Sequence, residues 1–329
     1  MPSSMSRIQR SPQLFHCRRS APLTSRIPTK SAATLIVALF LVAPAFANSS
    51  EGGSRGIPPT VLLVGDSWAE FMWQFRTLQN TFSDNGYPNL VEDGSSTAIS
   101  GSTVAEWTQP SWLQSITDAL ESQPSIEVVQ VTFGGNDFLA GQSGGGWYVD
   151  ISSQDLETLY GQILADAEIV IDHIFSVRPD IEILISLYDY VNFVESNPIT
   201  CLGPWNDLGN PTPLQVNTAA AELQTRVNTF AAGRDRVTSI GHMGLMQFSY
   251  GFPDDGIAPG DIPLPGDLSL PSPIASMFLG LDCIHLSDAG YRILGQNLWD
   301  QFYGPLFVGT IFSDGFESGD LTLWSSTSP

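Results

Sequence analysis

Short apolar runs recur along this chain, each separated from the next by a segment with helical spacing. Thr60–Val64 (TVLLV), Ile126–Phe133 (IEVVQVTF), Ile181–Leu187 and Arg236–Ile240 have the length and composition of buried strands, and Asn89–Val91 is a weaker candidate. From Trp68 to about Asp84, one helical face collects Phe71, Phe75, Leu78 and Phe82. Ser111–Ser122, Ser153–Val177 and Pro211–Ala232 read as further helices, the second ending before Pro179 and the third at Gly233. Ser287 is placed to N-cap a last helix reaching about Tyr303. Strands that are apolar throughout need cover on both faces, and helices alternating with them supply it. The pattern therefore predicts an α/β fold, a three-layer α/β/α sandwich around a mostly parallel sheet.

Three stretches interrupt the alternation. Gly141–Gly146 (GQSGGG) reads as a flexible loop. Residues 251–273 hold six prolines and four aspartates and form a long irregular insertion of the kind that often walls or covers a site. From Gly309 to Pro329 the chain is short and acidic (DGFESGD).

The charge separates along the sequence. The 329 residues carry 13 Lys+Arg against 34 Asp+Glu, a net charge of −21. Arg7, Arg10, Arg18, Arg19, Arg26 and Lys30 precede any acid. The apolar run Ala32–Ala43 follows them, and Ala45-Phe46-Ala47 closes it. A basic start, a short apolar run and an A-x-A end predict a secretory signal peptide cleaved after Ala47. The run is short for a membrane span, so stable insertion after cleavage is not expected. The remaining chain would carry a formal charge of −27 and no lysine. Nucleic acid, which requires a basic face, is thereby excluded as a partner, and anionic substrates are disfavoured. Cys201 and Cys283 would be the two remaining cysteines, and in an oxidising compartment a lone pair is expected to bridge.

The residues after the strands carry the chemistry. Thr60–Val64 runs directly into Gly65-Asp66-Ser67 and a helix. A serine there faces the crevice where open α/β sheets bind ligands, and the N–H groups of a helix start can meet a developing oxyanion. Gly101, within Ile99–Thr103, follows the second strand region. Gly134-Gly135-Asn136-Asp137 follows the third, on the same sheet edge. Late in the chain comes Asp282-Cys283-Ile284-His285, a histidine with a carboxylate three residues away, which suits a base and its orienting group.

In order and spacing, Gly65-Asp66-Ser67, Gly101, Gly135-Asn136-Asp137 and Asp282-x-x-His285 resemble the SGNH, or GDSL, hydrolase family over about residues 60–305. The resemblance implies a flavodoxin-like sheet and ester hydrolysis with Ser67 as nucleophile, His285 as base and Asp282 orienting it. It also implies an oxyanion hole from the Ser67 N–H, the Gly101 N–H and the Asn136 side chain. Trp68 stands where that family usually carries an aliphatic residue. The expected organisation is a signal peptide at 1–47, a linker at 48–59, the hydrolase domain at 60–306 and an acidic tail at 307–329.

Two other readings compete. Gly141-Gln142-Ser143-Gly144-Gly145 matches the G-x-S-x-G elbow of classical α/β-hydrolases, but no strand leads into it and a glycine-rich loop follows. A catalytically silent carbohydrate-binding module would instead use Trp68, Trp73, Trp107, Trp112, Trp147 and Trp205 as flat apolar faces, although helical spacing assigns Trp73 to the core. No H-E-x-x-H or Cys/His cluster calls for a metal or other cofactor, and calcium on the acidic 251–273 loop is the one metal option. The expected partner is a small-molecule or polysaccharide ester substrate.

Overall fold

A computed structural model describes residues 57–196 and 198–312. The expected signal peptide, most of the linker and residues 313–329 of the acidic tail lie outside the described residues.

The chain begins with β1 (Val61–Gly65), α1 (Ser67–Gln74), α2 (Thr77–Asp84) and β2 (Glu92–Asp93). Next come α3 (Val104–Trp107), α4 (Pro110–Ser122), β3 (Val128–Thr132), α5 (Gly135–Leu139) and α6 (Gly141–Gly144). They are followed by α7 (Ser153–Val177), β4 (Glu182–Ser186), α8 (Pro198–Asp207), α9 (Pro213–Ala232) and β5 (Val237–Ile240). α10 (Leu245–Tyr250) precedes the irregular region, and α11 (Asp288–Leu298) and α12 (Gly304–Phe312) follow it, joined by a π-helical turn at Trp299–Tyr303. The sheet is parallel throughout, in the order β2-β1-β3-β4-β5.

Alternate strand residues feed two separate cores. Leu62, Val64, Val129, Val131, Ile183 and Ile185 pack with α4, α7 and α9, through Ile116, Val170, Ile174 and Val227. Val61, Leu63, Val128 and Leu184 pack on the other face with Met72, Phe82, Leu294 and Leu298 of α1, α2 and α11. This is the expected three-layer sandwich with flavodoxin-like strand order. In that order β1 and β3 are neighbours whose crossovers leave on opposite sides, which opens a crevice at their C-terminal ends.

Several local expectations shift. The strand expected at Asn89–Val91 forms instead at Glu92–Asp93. The Val91 carbonyl already accepts the Thr60 N–H at 2.8 Å, so pairing starts there and runs on into the charged pair at the sheet edge. The single helix expected from Trp68 to Asp84 is two, because Arg76 takes the left-handed conformation at φ 52°. Gly141–Gly146 is no open loop. It contains the helical turn α6, fixed by the Asp207 carboxylate, which accepts the Ser143 N–H at 3.2 Å and hydroxyl at 2.7 Å. The last helical region continues past Tyr303 through α12 to Phe312.

The 251–273 insertion lacks regular strands or long helices but is pinned by buried amides. Gln247 donates to the Asp267, Leu270 and Pro271 carbonyls and accepts the Asp267 N–H. Asn217 donates to the Leu268 and Leu270 carbonyls, and Asn192 to the Ser272 carbonyl. Among the described residues no helix is long and apolar enough to cross a membrane.

Candidate active site

β1 pairs with β3 as far as Gly65 opposite Thr132. Gly65 has φ 144°, and a Cβ there would lie 2.3 Å from the Thr132 carbonyl oxygen. Only glycine permits both that conformation and that approach. The chain then turns into α1, whose N-cap is Asp66 and whose first residue is Ser67. This strand–turn–helix junction holds the Ser67 side chain at the C-terminal edge of the sheet.

The opposing segment precedes α11. The Asp282 carboxylate organises its own loop, Oδ1 accepting the Ile284 N–H at 2.7 Å and the His285 N–H at 2.9 Å. Its Oδ2 lies 3.0 Å from His285 Nδ1, and His285 Nε2 lies 2.8 Å from Ser67 Oγ. An ionised Asp282 can only accept, which assigns the proton to Nδ1 and leaves the neutral Nε2 to accept the Ser67 hydroxyl. Burial alone would raise the Asp282 carboxyl, but the hydrogen bonds and charge of His285 hold it below the usual carboxylate range. Asp282 therefore stays ionised and fixes both the tautomer and the tilt of the ring.

The His285 ring is also stacked. Phe71 of α1 lies parallel to it, with centroids 4.8 Å apart and planes at 14°. Phe278 and Tyr291 pack behind Phe71. The sequence marks Phe71 only as a core residue of an amphipathic helix, and no local signal separates a core phenylalanine from one that flanks a histidine.

The other expected donors lie on neighbouring loops. Gly101 has φ 78° and belongs to a loop sewn to the end of β1, where Ile99 N–H donates to the Gly65 carbonyl at 2.8 Å and the Ser102 hydroxyl to the same oxygen. Glu70 of α1 accepts the Ser100 N–H at 2.8 Å and the Ser100 hydroxyl as well. Asn136 lies in α5, directly after β3, and its amide donates to the Ser102 carbonyl at 2.9 Å, leaving a second amide hydrogen for another acceptor. Asp137 accepts the Val104 N–H at 2.9 Å, tying the same two loops together, and burial raises its carboxyl to about 6.

Asp66 stands in the Gly65-Asp66-Ser67 motif without a role of its own, and Tyr188 is an addition that the sequence pattern does not single out. Asp66 is 1% exposed; its Oδ1 accepts the Trp68 N–H at 3.0 Å and its Oδ2 the Tyr188 hydroxyl at 2.7 Å. Burial pushes its carboxyl up to about 7 against those two bonds. Tyr188 stands two residues beyond β4, as Ser67 stands two beyond β1, so the same rule could have found it.

The disulfide joins Cys201 of α8 to Cys283, with Cα atoms 6.1 Å apart. It enters the loop between Asp282 and His285. Ser143 lies elsewhere, on exposed α6 with its hydroxyl on Asp207, and no strand leads into it. Of the six tryptophans considered as binding faces, Trp68, Trp107 and Trp147 are buried, and Trp73, Trp112 and Trp205 are half-buried. Among the described residues no three His, Cys, Asp or Glu side chains gather as a metal site. On the insertion, Asp261 and Asp267 accept hydrogen bonds from the neighbouring Ala258 and Ser269.

The profile of the GDSL-like lipase/acylhydrolase family matches residues 63–293, from β1 to α11. The chain belongs to this family and is thereby an ester hydrolase. No match was found among curated proteins. Among solved structures, the Clostridium thermocellum family 3 carbohydrate esterase is 18% identical, with a TM-score of 0.38 over 76% of this chain and 98% of its own. The inhibitor-bound aryl esterase of M. smegmatis is 13% identical, with a TM-score of 0.44 over 75% of this chain and 99% of its own. A family 3 carbohydrate esterase from Talaromyces cellulolyticus is 11% identical, with a TM-score of 0.39 over 78% of this chain and 100% of its own.

Proposed function

We propose that this chain is an exported serine esterase that cleaves carboxylic esters through an acyl-enzyme on Ser67, within a catalytic domain spanning 60–306. The observation that carries the reading is the continuous relay Ser67 Oγ–His285 Nε2 at 2.8 Å and His285 Nδ1–Asp282 Oδ2 at 3.0 Å. Ser67 Oγ attacks the ester carbonyl carbon while its proton passes to His285 Nε2. The carbonyl electron pair moves to oxygen, and the Ser67 N–H, the Gly101 N–H and the second Asn136 amide hydrogen donate to that oxyanion. Collapse breaks the bond to the alcohol oxygen, which leaves with the proton from His285. Water then attacks the acyl-enzyme, again losing its proton to His285, and the second collapse returns Ser67 and releases the acid. Asp282 stays ionised throughout and stabilises the transient imidazolium.

The signal-like start at 1–47, the paired cysteines and the strongly acidic composition favour an extracellular or periplasmic site. A formal charge of −27 on residues 48–329 favours neutral ester substrates, small molecules or acetylated sugars, over polyanions. The test uses p-nitrophenyl acetate. Ser67→Ala is expected to lose nearly all hydrolysis at an unchanged unfolding midpoint, and Ser143→Ala to keep most of it. The opposite pattern would overturn the reading.

A further inference from the structure

Three turns leave the C-terminal edge of the sheet side by side: Gly65–Ser67 after β1, Gly134–Asn136 after β3 and Leu187–Tyr190 after β4. The strand ladders end short of the reacting groups, at Gly65–Thr132 between β1 and β3 and at Val131–Ile185 between β3 and β4. Something beyond the ladders must therefore set the spacing between Ser67 and Asn136.

Tyr188 touches both turns. Its hydroxyl donates to Asp66 Oδ2 at 2.7 Å, while Asp66 Oδ1 caps the helix that starts at Ser67. Its ring stacks on Trp68, with centroids 4.5 Å apart and planes at 9°. On the other side, a Cβ added to Gly135 would lie 2.1 Å from Tyr188 Cζ, so the ring rests directly on the backbone next to Asn136. Gly135 is thus small because the phenol occupies the space a side chain would need. The packing also accounts for Trp68 after the serine: a flat indole meets the phenol face to face where an aliphatic side chain would not.

We propose that Tyr188 is a positioning residue for ester cleavage, a wedge held by Asp66 that sets the separation between the Ser67 nucleophile and the Asn136 amide. The proposal rests on Ser67 being the nucleophile. An oxyanion donor is effective only within about 2.7–3.1 Å of the developing charge. Displacement of a reacting group by about 1 Å costs on the order of a hundredfold in rate. The wedge acts on the transition state and not on substrate capture, so its loss is expected to fall on kcat.

Tyr188→Phe keeps the ring and removes its anchor. The expected result is a fall in kcat of about tenfold to a hundredfold with KM within about twofold. Inactivation by a fluorophosphonate, which also needs the oxyanion donors, should slow by a similar factor. Asp66→Ala and the double variant complete a cycle. Because Asp66→Ala already removes the anchor of Tyr188, the double variant should lose no more than Asp66→Ala alone. Should Tyr188→Phe fail to unfold cooperatively, Asp66→Ala, which retains the ring, carries the same measurement. Wild-type kcat and inactivation rate in the folded variants, or a rise confined to KM, would overturn the positioning role. A wild-type enzyme that hydrolyses esters but resists the phosphonate would instead overturn the Ser67 reading itself.

Discussion

Replacing Cys201 by Ser separates two roles of the disulfide, one in stability and one in the site. The bridge spans 82 positions of sequence, and the chain-entropy argument for a loop of that length gives about 4.5 kcal/mol. Typical domains hold roughly 5–15 kcal/mol in total, so the variant should remain folded at 25 °C with a much lower urea midpoint. The second role follows from position. Cys283 lies between Asp282 and His285, and the bridge fastens that segment to α8. Other restraints persist in the variant. Asn192 N–H donates to the Cys283 carbonyl at 2.8 Å, Phe278 N–H to the His285 carbonyl at 2.9 Å, and Phe71 still flanks the ring. The 251–273 insertion, which lies inside the bridged loop, is also held by Gln247 and Asn217 and does not pull freely on the base. A partial displacement of the base is therefore expected, with kcat down about tenfold at temperatures well below unfolding. Kinetics with p-nitrophenyl acetate and urea titration of the same preparation read both quantities. A lowered midpoint with wild-type kcat would refute the catalytic role, and an unchanged midpoint would refute the chain-entropy reasoning.

Two further outcomes follow from single contacts. Asn136→Ala should lower kcat by roughly 10²–10³ with a smaller effect on KM, since its amide is assigned to transition-state charge; a rise in KM alone would mark a substrate-binding role. His242 is buried between the Ser186 hydroxyl at 2.9 Å and the Asn297 amide at 3.0 Å, and burial lowers its pKa to about 3. An unfolded histidine titrates at about 6.5, so below that pH the unfolded chain binds a proton that the folded chain refuses. The contribution of His242 is present above about pH 6.5 and is lost as pH falls towards 3, on the order of 5 kcal/mol in all. His242→Gln should therefore flatten the acid side of the stability–pH curve from urea unfolding, and identical slopes in both proteins would contradict the assignment.

The sandwich is legible in the sequence because its strands are short and β-branched and its two longest helices are well punctuated. α7 ends before Pro179 and α9 at Gly233. What sequence reading misses depends on partners far along the chain. Arg76 breaks a helix although apolar periodicity continues on both sides of it, and arginine carries no breaker signature. The glycine-rich 141–146 segment forms a turn only because Asp207 of α8 accepts from Ser143. The proline-rich insertion is ordered by Gln247, Asn217 and Asn192, amides whose patterns read as ordinary helix or loop. In the site, Ser67, Asp282 and His285 stand out as residue types at the expected places, and the folded chain brings them into hydrogen-bond contact. Phe71 and Tyr188 do not stand out, because an aromatic side chain beside a strand or on a helix face reads first as core.

The most direct measurement is to map the adduct formed when the full-length protein reacts with a fluorophosphonate. Proteolysis and mass spectrometry should find one adduct, on the peptide carrying Ser67. It should be absent in Ser67→Ala and form far more slowly in His285→Ala. An adduct on the Ser143 peptide, or ester hydrolysis that persists with Ser67 unmodified, would contradict the account.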